Sequence, residues 1–272
     1  MKTPSIRILP LLTACLFLQA SCQKPAQQQQ KPEQAQATQT AAPEVARPQS
    51  GSEQIPERPP ASNPVAAPAQ TSGGQLVPLE IKLPKPMFVG TPTNIAVPNL
   101  EKPLGRPRQP FLVPAGTRNV AFRKPVSGSD EQPVIGELSM VTDGDKEAAE
   151  GSFVELGPGV QYVTIDLKTR NTIYAVVVWH YHKQAVVYHD VIVQVADDKD
   201  FIANVQTVFN NDIDNSSGRG VGKDMSYVET AEGKLIDAKG VQGRYIRLYS
   251  RGNTANDLNH YIEVEAYGKA AQ

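Results

Sequence analysis

"IYAVVVWHYHKQAVVYHDVIVQVA", residues 173–196, is the stretch on which the fold turns. Two runs rich in Val, Ile and aromatic residues flank one polar break, "HKQA" at 182–185. Such runs suit a pleated, half-buried surface, and both are too short for a convincing helix. Val176, Val178 and His180 are two apart, so they share one face of a strand. Val191, Val193 and Val195 do the same after the break, with His189 at the start of the run. The pattern predicts a strand, a turn and a returning strand, with His182 and His189 flanking the turn.

Similar short runs follow and precede it. "YVTIDL" (162–167), "VQTVF" (205–209), "RYIRLYS" (244–250) and "YIEVEAYG" (261–268) are separated by Gly, Asn and Asp clusters. No helical pattern of equal strength competes with them. Many short strands in about 155 residues imply an all-β domain, a sandwich or barrel.

Composition sets the boundary of that domain. Twenty of the 23 prolines precede Ala115, whereas all nine tyrosines and Trp179 follow it. Ordering a chain costs entropy that only buried apolar and aromatic groups offset. The globular domain is therefore predicted over 116–272. Residues 23–75, rich in Pro, Gln and Ala, are predicted to be a disordered tether reaching about 40 Å root-mean-square. Residues 76–115 keep the prolines but add Leu, Ile, Val and Phe. They read either as an extended arm packed along the domain or as plain linker.

The first 22 residues pair Lys2 and Arg7 with a short apolar run at 8–18. That is a secretory signal pattern, too short to span a membrane. Both cysteines, Cys15 and Cys22, lie here. The segment resembles a bacterial lipoprotein signal. "LTAC" at Cys15 fits the lipobox better, but cleavage there would leave "CLFLQ" at the mature start, so Cys22 is the expected lipidation site. The resemblance implies an exported protein of the cell envelope, facing the outer membrane or periplasm and touching membrane only through its lipid. The folded region has no cysteine, so packing must hold it without disulfides.

Function classes narrow from charge and motif. A net charge of -1 provides no excess of cations for phosphates, so nucleic acid is not an expected partner. No nucleophile elbow, His-Glu-x-x-His or Cys–His pair is present, so the chain reads as a non-enzyme. "SSGRGVGKD" (216–224) imitates a phosphate loop but lacks its first glycine and its Ser or Thr after lysine. Asp212-Ile-Asp214-Asn-Ser216 imitates the start of a calcium loop but has Ser217 and Lys223 where glycine and glutamate are required. It reads as a long loop on a binding face.

The order of "NVAFRKPVSGS" (119–129), "MVTDGD" (140–145), "YVTIDL", "IYAVVVW", "VIVQVADDKDF" (191–201), "RYIRLY" and "IEVEAYG" (262–268) resembles the discoidin family. That family is also called the coagulation factor 5/8 type C domain, and it is related to family 32 carbohydrate-binding modules. The resemblance covers about 119–268. It implies a jelly-roll β-sandwich of the galactose-binding-like class that binds ligand with loops at one end. It also implies one structural Ca²⁺, with Asp143 and Asp145 of the "TDGD" turn and Glu263 of the terminal strand as ligands. The implied partner is a carbohydrate or glycoconjugate, with a partner protein docked by the sandwich as the alternative.

Sugar recognition needs planar donors and acceptors for hydroxyls and aromatic faces for C–H surfaces. Two stretches supply them densely, giving Tyr181, His182, His189, Arg251, Asn256, Asn259 and His260 as candidate ligand-binding residues. Two other readings stand beside this one. His180 and His182, about 7 Å apart on one face, could share Zn²⁺ or Cu²⁺ with His189 or His260. Alternatively, the histidines are satisfied structural groups.

Overall fold

The computed structural model describes residues 75–271, apart from Val89, Thr91 and Thr93. The expectations for the signal, Cys22 and the tether lie outside the described residues. Eleven strands and one 3-10 turn, Leu138–Thr142, make up the described chain. All strand pairing is antiparallel, apart from one isolated parallel bridge.

Two long strands carry the architecture. The predicted runs "YVTIDL" and "IYAVVVW" are one strand, β6 (Gln161–Trp179), and "RYIRLYS" is the end of another, β9 (Lys234–Ser250). They pair from Gln161↔Ser250 through Val178↔Lys234, with irregularities between Asp166 and Asn171 and between Ile173 and Ala175. Lys168 and Lys239 adopt positive φ (71° and 53°) at these bends. The first half of β6 meets β4 (Val126–Gly128), and the end of β9 meets β7 (Ile192–Ala196), which pairs with edge strand β8 (Gln206–Asn210). The second half of β6 meets β11 (Glu263–Ala270), which pairs with β3 (Arg118–Asn119). Two layers result, each β6–β9 half lying in one of them.

The bulge explains an odd feature of the sequence. Inward residues are odd-numbered up to Ile173 (Val163, Ile165, Leu167) and even-numbered after it (Val176, Val178). One extra residue in a strand reverses which face its neighbours occupy. Ala175, Val177 and Trp179 consequently face out of the sandwich, yet all are buried. The proline-rich segment covers them: Leu79, Ile81 and Phe111 pack on this second cluster. That segment forms its own ribbon, β1 (Leu76–Pro78) with β2 (Leu112–Pro114). Arg108 anchors it to the domain by donating to the carbonyls of Glu232 and Gly233. Gly233 sits at φ 63° against the Trp179 ring, where an added Cβ would lie 2.6 Å from it. Leu79, Ile81, Arg108 and Phe111 of this segment lie against the domain, whereas Leu83, Met87 and Leu104 are exposed.

Candidate functional site at the loop end

Because β6 and β9 both bend, Gln161, Trp179, Lys234 and Ser250 all lie at one end of the sandwich. The loops 180–191, 211–233 and 251–258 gather there. The expected returning strand from Val187 does not form; β7 begins only at Ile192. Instead, 187–189 makes a short ladder with 251–254. Arg251 donates its N–H to His189 O (2.9 Å), His189 donates to Gly252 O (3.0 Å), and Thr254 donates to Val187 O (3.0 Å). Gly252, at φ 70°, lies against the Asp257 backbone, where an added Cβ would be 3.0 Å from Asp257 Cα.

Three of the four histidines lie inside this end. His180 is fully buried, continues the inward face of Val176 and Val178, and has Nδ1 2.6 Å from Glu229 Oε1. His180 Nε2 and Glu229 Oε2 have no partner. The ring stacks on Tyr188 at 4.3 Å between centroids. The Tyr188 hydroxyl lies 2.8 Å from His260 Nδ1, and His260 Nε2 lies 3.0 Å from Glu155 Oε2. This second His–Glu pair ties β10 (Asn259–Tyr261) to β5 (Val154–Leu156), its strand partner. Burial depresses the pKa of His260 despite the raising effect of Glu155. Burial, reinforced by the Glu229 charge, pushes the Tyr188 hydroxyl well up. Nothing in the sequence spacing linked Glu229 or Glu155 to these histidines.

Several expected ligand contacts are structural. His182 is fully buried, and its Nε2 is 3.0 Å from Lys146 O. Asn259 is fully buried; its amide donates to Gly157 O and Gly159 O, and its Oδ1 accepts from Ser250 Oγ and Gly252 N. With every hydrogen-bonding site engaged, it holds the loop and has nothing to offer a hydroxyl. His260 is buried, with both ring nitrogens engaged. Tyr181 is half-buried against Phe153, ring centroids 4.6 Å apart. Asn256 is exposed, and its Oδ1 accepts from Asn253 Nδ2 and Leu258 N. Nor do the described histidines form a shared metal site.

Of the expected ligand-binding residues, Arg251 and Asn256 are exposed at the loop end and His189 is half-buried. The His189 ring has no hydrogen bond among the described residues. Arg251 is 50% exposed, its Nη1 3.7 Å from Asp190 Oδ2. Asp190, at φ 53°, lies outside any strand and turns toward the 211–224 loop, where Ser216 Oγ donates to it at 2.7 Å. Partial burial raises its pKa, aided by the charges of Asp212 and Asp214. Carboxylate oxygens of Asp190, Asp212 and Asp214 lie within 4.8 Å of one another, a group able to hold a metal ion. Asp190 and Ser216 were invisible as partners because 26 residues separate them.

The residues implied as calcium ligands lie at the Asp143–Asp145 turn and at the start of β11. Asp143, Asp145 and Glu263 do not form such a three-carboxylate group. Asp143 Oδ1 accepts from Asp145 N (2.8 Å), and Asp145 Oδ1 accepts from Glu147 N (3.0 Å), which shapes the turn. Glu263 is fully buried; Oε2 accepts from Gly144 N (3.1 Å), while Oε1 has no partner. Burial pushes its carboxyl up to about 9, and nearby Glu265 and Asp143 add to the shift. A buried, unpartnered carboxylate oxygen beside a tight turn fits a cation.

No family model matches the chain, and no curated protein matches it. Among solved structures, the chain is similar to a family 32 carbohydrate-binding module of AlyQ in complex with 4,5-unsaturated mannuronic acid. The identity is 18% and the TM-score 0.38, covering 53% of this chain and 95% of that one. It is also similar to a fucose-binding module from Streptococcus pneumoniae (17%, TM-score 0.40, 57% and 98% covered). A third is a family 89 glycoside hydrolase from Clostridium perfringens (16%, TM-score 0.41), of which only 15% is covered against 56% of this chain. At such identities the ligand has to be argued from the site itself.

Proposed function

We propose that this is a non-catalytic carbohydrate-binding module whose binding surface centres on His189 and Arg251, with Asp190 and Ser216 behind them. The observation that carries the reading is the 187–189/251–254 ladder. It fixes the backbone of His189 beside that of Arg251, whose guanidinium lies 3.7 Å from the Asp190 carboxylate. Planar donors and acceptors held in advance bind hydroxyls without an ordering cost at the interface. Catalysis finds less support, because both His–Glu pairs are buried, and so is the Tyr188 hydroxyl that meets one of them. A glycan array probed with the protein tests the proposal: binding that free sugar competes away supports it. Capture of a protein partner with no glycan signal overturns it.

Two further parts of the reading rest on other residues. A calcium ion at Glu263 would neutralise its buried carboxylate and stabilise the fold by mass action. A chelator should then lower the melting temperature, and an unchanged curve removes the ion. The sequence of the first 22 residues supports export and lipid attachment at Cys22 in the cell envelope. Cys22→Ala should release the protein from the membrane fraction; release by Cys15→Ala instead moves the anchor.

A further inference from the structure

At the end of the sandwich opposite the loops, two edge strands leave a gap. β8 is the edge of one layer, and the first half of β9 is the edge of the other. The groove between them has a volume of about 530 Å³, within the range typical of ligand pockets. Val208, Ala238 and Val241 form its floor with their side chains packed into the core, and polar side chains line its surface.

Those polar groups are fixed in place. Asn204, held at φ 51°, donates through Nδ2 to Gln242 O (3.2 Å) and to Asp197 Oδ2 (3.3 Å). Gln206 Nε2 donates to Asn204 Oδ1 (3.3 Å), and Gln242 Nε2 donates to Thr172 Oγ1 (3.3 Å). Thr207 Oγ1 accepts from Gln194 (3.1 Å), which leaves its own proton to donate. Asp237 uses Oδ1 to accept from Lys239 N (2.9 Å), leaving its other oxygen free. Charge is balanced: Arg170 pairs with Asp197 at 3.3 Å, and Lys239 lies on the same turn as Asp237. The Thr207 hydroxyl, the second Asp237 oxygen and the amides of Gln206 and Gln242, with no excess charge, suit the hydroxyls of a neutral polyol.

We propose that this groove is a second carbohydrate site, taking neutral oligosaccharides and making the module bivalent. Nothing in it depends on the loop-end patch. Amide shifts of the soluble Cys22→Ala chain, titrated with lactose, maltotetraose and cellotetraose, provide the test. With at least one of the three, shifts are expected at 204–208 and 237–242. They should persist in Arg251→Ala and weaken at least tenfold in Gln206→Ala/Asp237→Ala, whose melting temperature stays unchanged. No groove shift with any of the three overturns the proposal. So do shifts that survive the double substitution, or tighter binding of an oligogalacturonate than of every neutral probe. Shifts at His189 and Arg251 alone would support the loop-end reading while overturning this one.

Discussion

The same end of this domain treats its histidines in two opposite ways. His180, His182 and His260 are buried, with protein partners on at least one ring nitrogen. His189, one residue from Tyr188, keeps its ring free of hydrogen bonds among the described residues and stands beside Arg251. Residue type is identical and the chain separation small, so neither distinguishes structural from binding groups. What separates them is where each side chain's hydrogen-bonding capacity goes. A buried polar group left without a partner costs more than a made bond contributes, which makes the interior set a stability element. The outward set is free to answer a ligand.

The contrast is sharpest when the interior is cut. Glu229→Ala leaves His180 without its partner in a fully buried setting, and stability should fall by about 3–5 kcal/mol in denaturant unfolding. A loss under about 1 kcal/mol would mean that the pair is not the buried anchor described here. Glu263 gives a second test with a definite sign. Its folded pKa, about 9, stands above its ordinary 4.5. Between those values the folded state keeps a proton that the unfolded chain has released, so stability falls as pH rises through this window. In chelator, Glu263→Gln should remove that loss, gaining on the parent by up to about 1.4 kcal/mol per pH unit. Equal pH profiles for the two proteins would contradict it.

His260 runs the other way. Its folded pKa is depressed below 6.5, so the unfolded chain takes up a proton first as pH falls. Stability should decline below about pH 6.5, and His260→Gln should flatten that decline at a cost of about 1–3 kcal/mol near neutrality. Chemical denaturation at pH 5 and 7.5 distinguishes the outcomes. Smallest of all, His189→Ala and Arg251→Ala should leave stability within about 0.5 kcal/mol.

Much of this fold was legible in the sequence, for a physical reason. Alternating β-branched and aromatic runs report their own burial, so 162–167, 173–179 and 244–250 read as strands. The merger of the first two into β6 did not, because the bend at Lys168 uses a non-glycine residue at positive φ. The packing of Leu79 and Phe111 on the domain was readable only as an alternative, since prolines forbid regular pairing and hide the partners of such residues. For the site, sequence found the loops and missed the pairing. His189 and Arg251 were among the candidates, yet so were Asn259 and His182, whose engagement depends on contacts 36 to 102 residues away. Local composition marks polar residues; it does not say which of them another segment has already satisfied.

The central claim, that the outward patch reads the ligand and the inner network only holds it, comes down to one titration. The tightest sugar from the array is titrated calorimetrically into the parent protein and His189→Ala/Arg251→Ala. Affinity should fall by roughly tenfold to a hundredfold, about 1.4–2.8 kcal/mol, while the two melting temperatures coincide. Unchanged affinity in the double variant would show that the sugar binds elsewhere and contradict the claim.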